Sequence, residues 1–315
     1  MQPVNKLALA LGAGGLVGIA HHIGVLCALE QELGLSEDQI DLLVGTSAGS
    51  AIGAYLRTGW SPSDLIERTG ELAAAAPGPL ATGPVDLVRH GIGSAYVIAR
   101  ASIRIPSLLS LAPLPSLRRA FPAGLVSMGD GIGMLERELP RGWPERALWL
   151  ATYDLVSRRR VVLGASRAPY MPLPEAVRAS CAIPGVYAPV RAGGNVLVDG
   201  GAWSLTNLDL SAVAGVTRVI CVAPMSYDPT RPPGTRDRLV REVATRMLMR
   251  DVGRLRRQGV DVLMLAPGPL EVATQGINLM RGTGLPTVAS VAFDETVKAL
   301  KRSPQAESWR EGLAA

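Results

Sequence analysis

Short apolar runs alternate along the chain with longer segments of helical pattern. Apolar runs typical of buried strands occur at residues 7–11, 40–44, 147–153, 160–164, 194–198, 216–224 and 260–266. Helical patterns lie between them, at residues 19–33, 51–57, 61–76, 235–258 and 293–302. Strands interleaved with helices favour a largely parallel sheet covered on both faces. The pattern therefore predicts an α/β fold, followed at residues 303–315 by a frayed polar tail.

Composition sets the outer limits of this fold. The chain has 315 residues, of which 48% are hydrophobic, so it can bury a large core. Sheets of this size often form one domain. We therefore expect a single domain over residues 1–315, with its motifs in 7–209, an apolar and basic insertion at about 80–145, and a C-terminal α/β segment at 210–302. No apolar run approaches the roughly 18 residues of a membrane span, and a glycine-rich loop interrupts the N-terminal run, so neither a span nor a signal peptide is predicted.

The cysteines limit the chemistry further. Cys27, Cys181 and Cys221 are far apart in the sequence and lack a C-x-x-C pattern. This usage indicates a reducing compartment and predicts no zinc site. We expect a cytoplasmic protein without a metal or another cofactor.

The most informative motif is Gly45-Thr46-Ser47-Ala48-Gly49, which follows an apolar run and precedes a helical pattern. A G-x-S-x-G sequence between strand and helix is typical of a nucleophile elbow, in which a tight turn lifts the serine hydroxyl above the sheet. The glycines stand where a side chain would clash across the turn. Ser47 is therefore the predicted nucleophile.

Histidine is nearly excluded as the partner of this serine. The chain has three histidines, His21, His22 and His90, and none follows residue 90. The order Ser, acid, His of an α/β-hydrolase triad is therefore not available. His21 and His22 lie on the first predicted helix among apolar residues, which favours a packing or supporting role. A carboxylate is the remaining common base.

Asp199 is the carboxylate that the pattern favours. It ends the apolar run at residues 194–198, and Gly200 and Gly201 follow it. Two glycines let the backbone turn sharply and let another segment approach closely. A D-G-G turn between strands is the plain alternative. A serine elbow without a usable histidine makes Asp199 the better candidate for the base.

A glycine-rich loop at residues 12–18 joins the first predicted strand to the first helix. Such a loop presents backbone N–H groups to negative charge. Val17 occupies the last position of a G-x-G-x-x-G pattern, so the dinucleotide fingerprint fails, and no lysine follows Gly18, so a P-loop fails too. An oxyanion needs only two well-placed N–H donors, and this interpretation fits the loop best.

The chain resembles the patatin-like phospholipases, which are Ser–Asp acyl hydrolases. Four blocks match in order: the glycine loop with the helix that ends in residues 22–26, the elbow at 45–49, the segment 179–190, and Asp199-Gly200-Gly201. The resemblance implies a three-layer α/β/α patatin-like fold with a nucleophile elbow. It implies Ser47 as nucleophile, Asp199 as base, and the N–H groups of Gly14 and Gly15 as the core of an oxyanion hole. The supporting glycines would be Gly12, Gly18, Gly45, Gly49, Gly200 and Gly201.

Two positions depart from the usual family pattern. The family loop carries Arg or Lys just before its last glycine, where this chain has Val17. The family also places an asparagine about five residues after the D-G-G aspartate, whereas this chain continues to Asn207 in an S-x-T-N-x-D sequence. The missing cation makes ester hydrolysis a firmer expectation than phospholipid preference.

Two basic segments suggest a lipid surface as a candidate partner. Residues 87–129 contain five arginines and no acidic residue among apolar side chains, which suits either a mobile lipid-facing cap or an ordinary apolar insertion. The helical pattern at 235–258 carries eight arginines, which suits a solvated face or an anionic membrane. Aromatic residues are only 4% of the chain, and without a binding motif nucleic acid is not expected.

Two functions remain at this stage. The first is a lipid acyl hydrolase of phospholipase A type that cleaves esters of phospholipids or related lipids, in the cytoplasm or peripherally on a membrane. The second is a catalytically silent or regulatory lipid-binding protein that retains the fold, an alternative suggested by Val17 and by the altered segment after the D-G-G. The sequence leaves the oligomeric state open.

Overall fold

A computed structural model describes residues 6–75, 129–184, 186–213 and 215–314. Its described strands form one sheet in the order β5-β6-β3-β2-β1-β7-β8, and β4 pairs with β3 beside this path. The strands are β1 (Lys6–Leu11), β2 (Leu42–Gly45), β3 (Ala147–Asp154), β4 (Arg159–Leu163), β5 (Val190–Ala192), β6 (Asn195–Asp199), β7 (Val216–Val222) and β8 (Asp261–Leu265). The run β3-β2-β1-β7-β8 is parallel, whereas β4 and β6 are antiparallel to β3.

Helices cover both faces of this sheet. They are α1 (Gly15–Leu33), α2 (Ala48–Arg57), α3 (Pro62–Ala75), α4 (Gly129–Glu138), α5 (Leu173–Ser180), α6 (Thr235–Arg257), α7 (Pro269–Gln275), α8 (Leu285–Arg302) and α9 (Pro304–Ala314). Alternate residues of β1 face opposite sides of the sheet. Leu9 packs with apolar residues of α1 and α2, whereas Ala8 packs with apolar residues of α6. The predicted three-layer α/β fold with a mostly parallel sheet is therefore confirmed.

The parallel strands direct several segments to one end of the sheet. The carboxyl ends of β1 and β2 lead into the glycine loop and the elbow, and β6 brings Asp199 to the same region through its pairing with β3. Ligands of open α/β sheets bind at this end. The topology therefore gathers the motifs of the sequence at one place.

Two predictions about segments need comment. Most of the cap expected at residues 87–129 lies outside the described residues, as does the first part of the insertion at about 80–145. The frayed tail expected at residues 303–315 is wrong, because Pro304–Ala314 form helix α9. Trp309 of this helix is fully buried in the core cluster that contains Leu29 and Leu33 of α1.

Within the described residues, no helix combines the length and the apolarity needed to cross a bilayer.

Removing the Trp309 indole should destabilise the whole fold rather than loosen a tail. The Trp309→Ala variant leaves a large cavity, and we expect its free energy of unfolding to fall by about 3–5 kcal/mol. The Arg218 guanidinium, which lies 4.0 Å from the Trp309 ring centroid, also loses its contact. Urea titration measures the change, and Glu307→Ala on the exposed face of the same helix is the control. Equal stability of the two variants would contradict the docking of α9.

Candidate active site

Ser47 occupies the turn between β2 and α2 in a conformation that side chains rarely adopt. Its backbone has φ 53° and ψ −119°, and such positive φ values cost about 1–3 kcal/mol in a residue other than glycine. The turn is held by backbone hydrogen bonds from Thr46 N to Leu11 O (3.0 Å) and from Gly49 N to Gly12 O (3.2 Å). The elbow and the end of β1 therefore support each other.

The glycines of the elbow are required by close backbone contacts. A Cβ atom at Gly49 would lie 2.1 Å from Leu11 O, and one at Gly45 would lie 2.6 Å from Ser50 Cα. Both distances are far below van der Waals contact, so no other residue fits without movement of the backbone. The same holds beside the acid, where a Cβ at Gly200 would lie 2.3 Å from Ala151 O.

Asp199 ends β6 next to the nucleophile. Its carboxylate accepts a hydrogen bond from Gly201 N at 2.7 Å and interacts with the Ser47 hydroxyl. Both side chains are almost fully buried, with Ser47 exposed by 5% and Asp199 by 2%. Burial raises the pKa of Asp199 to about 6, although the hydrogen bonds from Ser47 and Gly201 lower it. The carboxylate is thus a stronger base than an exposed aspartate and remains mostly ionised at neutral pH.

The glycine loop lies against the elbow and leaves two N–H groups available. The loop is fixed by Gly12 N to Val222 O (2.9 Å) and by Ala13 N to Leu205 O (2.7 Å). Gly14 is extended, and Gly15 has φ +61°. Within the described part of the chain, the N–H groups of Gly14 and Gly15 donate to no backbone acceptor. The arrangement can therefore offer two donors to an anion beside Ser47.

The two helical histidines make hydrogen bonds that support this loop and its surroundings. His22 Nε2 donates to Gly12 O at 2.7 Å, and burial lowers the pKa of His22 to about 3, so the imidazole is neutral. His21 Nε2 lies 3.1 Å from Glu271 Oε1 of α7. Both side chains therefore have the supporting role that the sequence favours.

Comparison with known proteins decides the family. The model described as patatin-like phospholipase matches residues 9–210. This chain belongs to the patatin-like phospholipase family. The uncharacterized NTE family proteins MT2641 and Rv1063c of Mycobacterium tuberculosis are 31% and 30% identical to it over 221 and 219 residues. Each alignment covers 69% of this chain but only 30% and 48% of those relatives, so the chain spans less than half of their length.

Solved structures are also similar to this chain, and VipD is one of them. VipD from Legionella pneumophila matches over 95% of this chain and 67% of its own, with 16% identity and a TM-score of 0.45.

The segment 179–190, another block of the family resemblance, supports Ser47. Ser180 Oγ accepts a hydrogen bond from Ser47 N at 3.1 Å and donates one to Ala151 O at 2.7 Å. The Cys181 thiol lies beside Ser47 and 3.7 Å from Ser50 Oγ. Burial and the charge of Asp199 raise the pKa of Cys181 to about 12, so the thiol is neutral. Sequence reasoning matched this block but assigned it no role.

Asn207 joins the elbow to the acid loop, a role that sequence reasoning missed. Its side-chain amide donates to Thr46 Oγ1 (3.0 Å), to Gly200 O (3.3 Å) and to Ser204 O (2.7 Å). Arg160 of β4 donates to Asn207 Oδ1 at 3.0 Å and binds both oxygens of Asp209 at 2.7 and 2.9 Å. The S-x-T-N-x-D continuation thus fixes Thr46 relative to Gly200.

Val17 and the segment 276–284 explain why the loop lacks the usual cation. The Val17 side chain is fully buried against Leu285, Val288 and Ala289, and its N–H donates to Leu279 O at 3.0 Å. An arginine at this position would bury its charge against α8, which is costly without a partner. A Cβ at Gly15 would lie 2.6 Å from Leu279 O. The segment 276–284 therefore covers one side of the glycine loop.

The buried carboxylate should make the protein less stable at high pH. The pKa of Asp199 is about 6 in the folded protein, above the ordinary 3.8 of an aspartate in an unfolded chain. Proton binding to Asp199 therefore stabilises the folded protein fully below pH 3.8, and this stabilisation is lost as pH rises through 6. Relative to wild type, Asp199→Asn should gain roughly 3 kcal/mol of stability between pH 3.5 and pH 8, since each pKa unit corresponds to about 1.4 kcal/mol. Urea titrations at both pH values measure this gain.

Asp154 supplies a control of opposite sign. Partial burial raises its pKa, but hydrogen bonds from Ser157, Val196 and Val156 outweigh this effect, and the net pKa is lowered. The Asp154→Asn variant should therefore lose stability relative to wild type as pH rises. A gain of stability of the same size in both variants would show that the Asp199 carboxylate does not cause the pH dependence of stability.

Proposed function

We propose that the protein hydrolyses carboxylic esters of lipids through a Ser47–Asp199 dyad. The observation that carries the proposal is the buried contact between the Ser47 hydroxyl and a carboxylate whose pKa is raised to about 6. A serine held at positive φ beside such a base has the arrangement that nucleophilic catalysis requires. Membership in the patatin-like phospholipase family supports a lipid acyl hydrolase.

The dyad acts in two stages in this proposal. Asp199 accepts the Ser47 proton while Ser47 Oγ attacks the carbonyl carbon, and the protonated base then supplies the proton to the leaving alcohol. Water attacks the resulting acyl-enzyme, with Asp199 again accepting a proton. A base of pKa about 6 is better matched to neutral pH than one of 3.8, because proton transfer is more favourable and the group is still ionised.

The N–H groups of Gly14 and Gly15 form the oxyanion hole in this mechanism. Each donor of this kind lowers the barrier by about 3–4 kcal/mol in serine hydrolases. His22 and Ala13 act indirectly, since their hydrogen bonds to Gly12 O and Leu205 O hold the loop in place.

The silent lipid-binding alternative loses its main support. It was suggested by Val17 and by the altered segment after the D-G-G. The packing of Val17 against α8 and the hydrogen bonds of Asn207 in that segment give both departures a structural role. We include peripheral association with a membrane in the proposed function, because the proposed substrates are lipids.

Covalent labelling tests the dyad directly. A fluorophosphonate probe should label wild type at Ser47, and Ser47→Ala should abolish labelling. The labelling rate should increase about tenfold per pH unit below pH 6 and become constant above it, because the deprotonated Asp199 is the base. Asp199→Asn should react at least about a hundredfold more slowly. Labelling of Ser47→Ala equal to that of wild type would rule out the proposal.

A pair of glycine variants tests the loop. Gly15 and Gly34 have similar φ values, +61° and +66°, but a Cβ meets Leu279 O at 2.6 Å only at Gly15, whereas Gly34 has open space. We expect Gly15→Ala to lower kcat for p-nitrophenyl butyrate about a hundredfold, which corresponds to the loss of one oxyanion donor. Gly34→Ala carries the same backbone strain and should retain activity in a kinetic assay. Equal kcat values for Gly15→Ala and Gly34→Ala would show that the glycine loop does not stabilise the oxyanion.

A further inference from the structure

Helix α6 begins at the active-site end of the sheet. Its Arg241 donates to Pro224 O at 2.6 Å and to Ser226 O at 3.1 Å, just after β7 ends. A Cβ at Gly14 would lie 3.0 Å from Pro224 Cβ, so this turn packs directly on the glycine loop. The first turns of α6 therefore lie beside the proposed oxyanion hole.

The solvent side of these turns combines apolar and basic side chains. Positions spaced three or four apart share a face of a helix, and here they form what we call the N-terminal face of α6: Arg236, Leu239, Val240, Val243, Arg246 and Met247. Leu239 is 71% exposed and Val240 is 47% exposed. Single exposed apolar residues are ordinary, but two adjacent ones flanked by arginines are typical of helices that lie in a membrane interface.

The apolar character of this face continues toward the active site. Met247 packs in a small cluster with Ala13 of the glycine loop, Ile183 and Met225. Ile183 follows Cys181, which lies beside Ser47. An acyl chain that leaves a bilayer at Leu239 and Val240 would thus meet apolar side chains up to the glycine loop.

Charge identifies the kind of surface that fits. The first turns of α6, residues 235–247, carry four arginines against Asp237 and Glu242, a net charge of +2. Arg238 and Arg246 pair with Glu242, which leaves Arg236 as the exposed cation beside Leu239 and Val240. Arg236 stands in the first helical turn, where a cation is unfavourable for the helix dipole. A basic, partly apolar face is complementary to an anionic lipid surface, where each arginine adds about 1 kcal/mol of attraction.

We propose that the N-terminal face of α6 docks the protein on an anionic phospholipid bilayer. Leu239 and Val240 enter the boundary between headgroups and acyl chains, and Arg236 contacts lipid phosphates. This inference rests on the proposed lipid hydrolysis, for which it supplies the surface that delivers the substrate to Ser47.

Sedimentation with vesicles tests the docking without turnover. The full chain with Ser47→Ala should pellet with vesicles of 70% phosphatidylcholine and 30% phosphatidylglycerol and remain in solution with pure phosphatidylcholine. Adding Leu239→Ser and Val240→Ser should weaken binding at least about tenfold, and adding Arg236→Gln should weaken it about fivefold. These side chains are exposed, so circular dichroism should show unchanged folding.

Matched controls come from the far end of the molecule. Arg254→Gln removes the same charge from the same helix, about 27 Å away at 1.5 Å per residue. Ile66→Ser removes a partly exposed apolar side chain (38% exposed) from α3. Both controls should bind vesicles as Ser47→Ala does. Equal weakening by test and control variants overturns the proposal and favours a nonspecific charge effect. Equal binding to neutral vesicles also overturns it, because an anionic surface would then not be what the protein recognises.

Activity separates this inference from the proposed function. With Ser47 intact, the Leu239→Ser/Val240→Ser variant should lose at least about tenfold in hydrolysis of vesicle phospholipid but not of soluble p-nitrophenyl butyrate. If vesicles bind but Ser47 reacts with neither ester nor probe, the proposed function fails and the docking surface remains. If both esters are cleaved equally well by the variant and wild type, the docking surface fails and the hydrolase remains.

Discussion

The burial of the Asp199 carboxylate is the constraint on which the active site depends. Burial raises the pKa of this carboxylate to about 6, which suits the proposed role of a base that serves Ser47 without histidine. The net rise in pKa opposes folding at neutral pH by roughly 3 kcal/mol, since each pKa unit is worth about 1.4 kcal/mol. The cost would be larger without the Gly201 N–H and the Ser47 hydroxyl, which stabilise the charge. The surrounding core must supply the remaining stability.

Rigid backbone contacts keep the charged and strained groups in place. Ser47 is held at positive φ by hydrogen bonds that link its turn to β1. Ser180 anchors the Ser47 backbone itself, and Asn207 anchors Thr46 before it. These anchors lie 133 and 161 residues away from their partners in the chain. The elbow geometry is therefore a tertiary product, although the G-x-S-x-G sequence permits it.

The contrast between motifs that are local in sequence and anchors that are distant in sequence explains which features could be predicted from the sequence. Apolar runs predicted the α/β fold and the described strands other than the three-residue β5, because buried parallel strands need little beyond apolar residues. Close contacts required glycine at positions such as Gly49, so the motifs were visible. The roles of the anchors were not, because a serine at the end of α5, an asparagine in a turn and an arginine in β4 have no distinctive spacing. The tail was misjudged because its apolar residues are few, yet Ala306, Trp309 and Leu313 are spaced three and four apart and pack on the core as one helical face.

The part of the chain beyond the family match completes the site. Residues 9–210 contain Ser47, Asp199 and the glycine loop. The loop nevertheless takes its shape from later residues, since Val222 O fixes Gly12, Leu279 O accepts from Val17, and α8 surrounds the Val17 side chain. Replacement of the usual cation by valine is therefore coupled to the C-terminal helices. A buried apolar residue can hold the loop by packing only where another segment covers it, and here residues 276–302 are that segment.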